Sequence, residues 1–200
     1  MTTAKRRVSG PERREMLLAA AREQFARHGF HGAATAAIAR DAGCSEAVLY
    51  RHFASKRDLL LATLEREIGG RIEEGRAIAP PSGAAVPDAL PGVLRQRLDD
   101  PEMWITIRLI LLSIAMTDDP EVGEIMRGWF GRVRAPLVAA LQAGQAAGTV
   151  RGDVDAETLT WLWHGLMLAG AVRDAIAPDG AAHASLDAAD VLAGMLRPPG

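Results

Sequence analysis

The sequence predicts an all-α protein, with a three-helix helix-turn-helix unit at the N-terminus and a helical bundle after it. Three observations carry this. Apolar residues recur three and four positions apart over most of the 200 residues, and no stretch alternates apolar with polar residues as a half-buried strand does. Cap and stop signals separate the periodic runs, with Ser or Asp before a run and Gly after it. Between Thr35 and Lys56, two short runs flank a glycine at a spacing that suits two helices joined by a tight turn.

The elements follow in order. The first eight or so residues read as a basic arm without periodicity. Ser9-Gly-Pro-Glu12 opens the first helix: Ser9 caps, Pro11 is tolerated in the first turn, and Glu12 closes a capping box. Leu17, Ala21 and Phe25 give that helix one apolar face to about His28, and Gly29 ends it. Ile38, Ala39 and Ala42 share a face of a second, short helix, which Gly43 stops by accepting a positive φ. Ser45 is expected to cap the third helix through its hydroxyl. In that helix Leu49 and Phe53 point inward, and Ala47, Val48, Tyr50 and Arg51 fall on the opposite side. Cys44 in the turn reads as a small packing residue rather than a redox thiol.

Ser55-x-x-Asp58 is a second capping-box-like start, opening a long helix through Leu59, Leu60, Leu64 and Ile68 to about Ile72. Residues 78–92, with four prolines, are expected to form a loop, and residues 93–98 a modest helix. Pro101 starts a strongly apolar helix through Met103, Trp104, Ile107, Ile110, Leu111 and Ile114. Asp118-Asp119-Pro120 opens another, to about Ala147, in which Pro136 removes a backbone donor and predicts a kink. A turn over 148–153 leads to a helix from about Asp155, carrying Leu159, Leu162, Trp163, Leu166 and Met167, and a last helix is expected over 185–195. This organisation divides the chain into residues 1–57, a linking helix over about 55–75, and residues 76–200.

Charge is distributed unevenly. Eleven Lys and Arg against five Asp and Glu give residues 1–57 a charge of +6, while the rest carries −8 within a net charge of −2. A basic first quarter on an acidic remainder suits a polyanion bound at one end only. The single Cys44 excludes an internal disulfide and points to a reducing compartment. The start MTTAKRRVSG lacks an apolar core of the signal-peptide kind, and the apolar run 105–116 is too short and too interrupted to span a bilayer. A cytoplasmic protein without membrane partners is expected. The five histidines are scattered, and no nucleophile–base pair or phosphate-cradling glycine loop occurs. His28-Gly-Phe-His31 flanks a helix end and reads as loop histidines, so neither catalysis, a metal nor a cofactor is expected.

The segments LLAAAREQFARHGF and IARDAGCSEAVLYRHFASKRDLL resemble the N-terminal domain of the TetR family of bacterial transcriptional regulators. The small-residue turn, Ser45, Leu49-Tyr50, His52-Phe53 and Lys56 carry the resemblance together. It implies DNA binding, with Thr35, Tyr50, His52 and Lys56 toward phosphates, and Ala47, Val48 and Arg51, along the helix that begins at Ser45, facing the major groove. Arg51 either bridges guanine O6 and N7 or grips a phosphate; both readings stay open. Two departures stand out. Ala33 and Ala34 replace the hydroxyl residues common before Thr35, so a cap or contact is missing. Glu46 stands where a cation is frequent, and a carboxylate there is repelled by phosphate unless it accepts from a cytosine amino group or pairs with a neighbouring Arg.

Beyond residue 80 the resemblance is one of outline, an all-helical domain that in the family holds an effector pocket and a dimer interface. Trp104, Ile107, Arg108, Leu111, Met126, Phe130, His164 and Met167 form the candidate effector set: aromatic, thioether and aliphatic groups with two polar ones for a small apolar or amphipathic ligand. Ordinary core packing explains most of the same residues. Leu141, Leu159, Leu162, Leu166 and Ala169, among small residues that admit a close helix, form the candidate dimer set. The reading is a ligand-responsive, homodimeric repressor on a pseudo-palindromic double-stranded operator. An activator, an effector-free nucleoid-type DNA binder, and a helical scaffold with a vestigial helix-turn-helix are the alternatives.

Overall fold

The computed structural model describes residues 8–78, 86–89, 92–93, 101–176, 190–191 and 193–198. The helices are α1 (Gly10–Gly32), α2 (Thr35–Asp41), α3 (Glu46–His52), α4 (Lys56–Ile78), α5 (Pro101–Ile114), α6 (Pro120–Ala146) and α7 (Ala156–Ile176). They pack as two compact units, Met1–Gly69 with Arg108–Met126, and Gly70–Ile107 with Arg127–Gly200. Among the described residues no helix is long and apolar enough to cross a membrane.

Local signals decide most boundaries of the first unit. Ser9 accepts from the Glu12 amide at 3.3 Å while the Glu12 carboxylate accepts from the Ser9 amide at 2.9 Å, completing the capping box. Gly29 has φ 67° and breaks α1 as expected, but the chain then makes one more helical turn to Gly32. Leu17, Leu18, Ala21, Phe25, Ile38, Ala39, Leu49, Phe53, Leu59, Leu60 and Leu64 are buried. Burial of each large side chain among them contributes about 1.5–3 kcal/mol. Ser55 caps the next helix, its hydroxyl accepting from the Asp58 amide at 3.0 Å. That helix, α4, continues past the expected end near Ile72 to Ile78. Arg22, nearly buried on α1, pairs with Glu67 of α4 at 2.9 Å.

Residues 108–126, which the sequence reading assigned to the second domain, pack with the first unit. One ion pair shows why. Arg57, in the first turn of α4, donates through Nε and Nη2 to both carboxylate oxygens of Asp119 at 2.6 and 2.7 Å, and through Nη1 to Glu121 at 3.3 Å. Asp119 in turn caps α6, accepting from the amides of Glu121 and Val122 at 3.1 and 3.4 Å. Such fork-to-carboxylate pairing tolerates few geometries.

The second unit has its own core of Val86, Ala140, Leu141, Val150, Ala156, Leu159, Trp163 and Leu196. Val86 lies in the segment expected to be a loop, yet residues 86–89 are helical and Val86 is fully buried, so the proline-rich composition there conceals a core contact. Pro136 sits inside the uninterrupted α6. Gly148, with φ 71°, ends that helix: its amide donates to Gln145 at 3.1 Å and that of Thr149 to Gly144 at 2.9 Å. Asp155 caps α7, accepting from the Thr158 amide and hydroxyl at 2.8 and 2.7 Å. Of the helix expected over 93–98 only residue 93 is described, and it is helical; the start of the one expected over 185–195 lies outside the described residues.

The Arg57 guanidinium, with smaller help from the capped amides, holds the Asp119 carboxyl at about 2, below its ordinary 3.8. A folded value below the unfolded one means that this stabilisation is complete above about pH 4 and disappears as the pH falls through about 2. The Tm difference between wild type and Asp119→Asn should be widest near neutrality and narrow across that window. A difference that does not change with pH would show that Arg57 gains nothing from the charged carboxylate.

Candidate nucleic-acid interface

The geometry of the interface begins with the turn between α2 and α3. Gly43, at φ 67°, occupies the left-handed position after the Ala42 cap. Its amide donates to Arg40 at 2.9 Å and the Cys44 amide to Ala39 at 2.9 Å, the paired bonds of a glycine-terminated helix. Arg13 on α1 then donates through Nη1 to the carbonyls of Ala42 at 2.6 Å and Gly43 at 3.2 Å. Two carbonyls that the end of α2 leaves without helical partners thus bind a cation, and the turn is fixed to α1. Gln24, also on α1, donates to Asp41 at 2.7 Å; this bond, and next the Arg40 guanidinium, hold the Asp41 carboxyl below its ordinary value.

The turn presents α3 with one face in and one face out. Leu49 and Phe53 are buried, whereas Glu46, Ala47, Tyr50 and Arg51 are exposed and Val48 and His52 half-buried. Leu49, Phe53, Ala47, Tyr50 and Arg51 divide as four-residue spacing predicts, while Val48, expected outward, is half-buried. Ser45 stands at the cap position, but its hydroxyl makes no capping bond, contrary to expectation. The Ser45 carbonyl already takes the amides of Val48 and Leu49 at 2.9 and 3.2 Å, so the amide that the hydroxyl would bind is engaged. The α2 start has no side-chain cap either, in keeping with Ala34 at that position. Cys44 is half-buried.

Thr35 and Tyr50, read from the sequence as separate phosphate contacts, are joined here. The Thr35 hydroxyl donates to the Glu46 carboxylate, and the Tyr50 hydroxyl donates to Thr35 Oγ1 over a long 3.4 Å. Among the described residues Glu46 is thus held by Thr35 and not by a neighbouring Arg. Lys56, the first residue of α4, donates to the His31 carbonyl at 3.3 Å with its ammonium 5.0 Å from the centre of the Phe30 ring, and remains half-buried. Thr35, Ser45, Glu46, Ala47, Val48, Tyr50, Arg51, His52 and Lys56 all fall in α2, the turn, α3 or the α4 start. The tie from Thr35 to Glu46 was not legible in the sequence, because eleven residues and a turn separate them.

The candidate effector residues divide between the units. In the first, Arg108 is exposed, Leu111 half-buried and Met126 buried. In the second, Ile107 is buried and Trp104, Phe130 and His164 are half-buried; the Met167 side chain lies outside the described residues. His164 Nδ1 stands 2.8 Å from the Thr160 carbonyl one turn back, so this nitrogen serves its own helix. Phe130 packs on Trp161 and His164 with ring centres 4.8 and 5.3 Å apart. Arg134 lies 5.4 and 5.2 Å from the Phe130 and Trp161 rings and pairs with Glu157.

Two candidate dimer residues are core residues instead: Leu141 and Leu159 are buried within one chain, and Leu166 packs against the same core. Leu162 and Ala169 are exposed. Trp161, Leu168 and Val172, absent from the candidate set, are exposed beside them. The signal was present in their four- and seven-residue spacing.

Residues 17–63 match the family described as bacterial regulatory proteins, tetR family. The repressor AcnR of Corynebacterium efficiens is 34% identical over 148 residues, 73% of each chain. The activator FasR of Mycolicibacterium smegmatis is 48% identical over 62 residues, 31% of this chain and 28% of that one. Among solved structures, a transcriptional regulator from Saccharomonospora viridis in complex with choline superposes with a TM-score of 0.78 at 20% identity, over 90% of this chain and 95% of that one. The helix-turn-helix geometry, the matched residues 17–63 and the likeness to AcnR over most of both chains lead to one conclusion: this chain belongs to the TetR family of bacterial transcriptional regulators.

Proposed function

We propose that the protein is a homodimeric, effector-responsive repressor acting in the cytoplasm on a pseudo-palindromic operator, with α3 in the major groove. The observation that carries the DNA-reading part is the outward face of α3, where Ala47, Tyr50 and Arg51 are exposed on a helix anchored by Leu49 and Phe53. In this reading Arg51 meets a guanine edge or a phosphate, Ala47 and Val48 touch thymine methyl groups, and Tyr50, His52 and Lys56 hold phosphates. The likeness to AcnR extends into the second unit, which favours repression; the likeness to FasR covers 31% of this chain and speaks for DNA binding rather than for the sign of regulation. That a protein of the same fold was solved with choline supports a small organic effector as a class. Such a ligand would shift the protein between states only by its difference in affinity for them.

Dimerisation rests on α7. Trp161, Leu162, Leu168 and Val172 are between 37 and 55% exposed, and Gly165 and Ala169 lie among them at helical spacing. A Cβ on Gly165 would meet nothing within 4 Å, so a partner helix has room to approach. A stable interface of this kind buries about 1,600 Å², and half-sites would lie about 34–36 Å apart.

Lys56→Ala should weaken binding alike on all sequences and lower the slope of log K against log salt by about one unit. Arg51→Ala should cost about 1–3 kcal/mol on the cognate site and relax preference at one base per half-site, read by selection from randomised half-sites. Equal losses on cognate and altered sites would assign Arg51 to phosphate. Leu162→Arg with Leu168→Arg should give a monomer in sedimentation with unchanged helicity and a lost advantage of paired over single half-sites; a persisting dimer would place the seam elsewhere.

A further inference from the structure

The outer face of the helix-turn-helix holds a carboxylate where DNA brings phosphates, and its hydrogen bonds show what it does there. Thr35 Oγ1 donates its one proton to Glu46, and accepts the Tyr50 hydroxyl at 3.4 Å. Among the described residues Glu46 has no cationic partner, and its side chain is exposed. In this arrangement Thr35 offers an approaching phosphate a lone pair next to a second negative charge. Both oppose binding. For Thr35 to donate to a phosphate, Glu46 must first leave it.

The major groove offers that carboxylate a specific destination. Glu46 is the first residue of α3, and the N-terminal residues of such a helix lie nearest the base edges. An ionised carboxylate only accepts hydrogen bonds. Guanine presents two acceptors in the major groove, thymine an acceptor and a methyl group, and adenine an acceptor beside its amino group. Cytosine alone presents an amino donor with no acceptor beside it. We propose that Glu46 is a specificity-determining residue that reads a cytosine amino group in each half-site and thereby releases the Thr35 hydroxyl to a phosphate. On a wrong base the carboxylate stays on Thr35, and its charge repels the backbone. Discrimination then comes from a penalty on other sequences as much as from a gain on the right one. The assignment rests on the reading of α3 as the groove-entering helix.

The test is selection from randomised half-sites with wild type, Glu46→Ala, Glu46→Gln, Thr35→Val and Arg51→Ala, each confirmed folded by circular dichroism and Tm. Wild type should select cytosine at one position, discriminating by about tenfold or more. Glu46→Ala should lose that column while its affinity for unrelated DNA rises. Glu46→Gln should move the preference toward adenine, whose amino and N7 groups match an amide. Thr35→Val should narrow the cytosine preference without abolishing it, weakening cytosine-bearing sites more than others, because only there is the hydroxyl released to a phosphate. If Arg51→Ala alters the selected sequence and Glu46→Ala does not, the Glu46 assignment is overturned by itself. If neither alters it, α3 is not the reading helix, and the assignment falls with that reading. A uniform loss of affinity in Glu46→Ala, with the cytosine column intact, would reduce Glu46 to a support for Thr35.

Discussion

The attitude of α3 depends on the Gly43 turn and on the arginine that holds it. A residue with a side chain resists φ 67° by about 1–2 kcal/mol, and glycine removes that cost where the chain must reverse within three residues. The turn alone would leave carbonyls of α2 without partners. Arg13 takes those of Ala42 and Gly43 from the neighbouring α1, so the same guanidinium that satisfies the helix end also locates it against the rest of the unit. Gln24 on Asp41 adds a second tie one residue earlier. With the turn held at both sides, the burial of Leu49 and Phe53 determines which face of α3 is left outward.

The first unit shows how a basic segment binds a polyanion without presenting all of its charge. Arg13 and Arg22 are used inside the protein, on backbone carbonyls and on Glu67, and Arg57 is committed to Asp119 and Glu121. The +6 counted over residues 1–57 therefore overstates the charge that faces outward. On α3 the exposed Arg51 shares the outer face with the exposed Glu46 carboxylate, so positive charge there is partly offset. The Arg57 clamp also explains why residues from Arg108 to Met126 fold with the N-terminal helices: a fork-shaped pair with a helix-capping aspartate fixes the α6 start against α4.

The second unit divides its apolar residues differently from the first. Leu141, Leu159 and Trp163 fill its interior, while Trp161, Leu162, Leu168 and Val172 stand outside. Trp161 is steadied at the surface by Phe130 and by Arg134, whose charge is matched by Glu157. In the proposed dimer the small residues Gly165 and Ala169 admit the partner helix and the large ones fill the gaps.

The sequence by itself determined the helices, most of their caps and the outward face of α3, because these follow from interactions within four or five residues. Ser9 with Glu12, the glycines at 29, 43 and 148, Asp155 and the Leu49–Phe53 spacing act locally, so they were legible. Only the tertiary structure decided which partners those elements meet. The Ser45 hydroxyl makes no cap bond, the Val48 amide lying on the Ser45 carbonyl instead, and Thr35 reaches Glu46 across a turn. An apolar helical stripe reads the same whether its own chain or another covers it, so Leu159 inside and Trp161 outside could not be told apart before the core around Leu141 and Leu196 was in place. Periodicity records that a face avoids water; what covers it depends on residues far away in the chain.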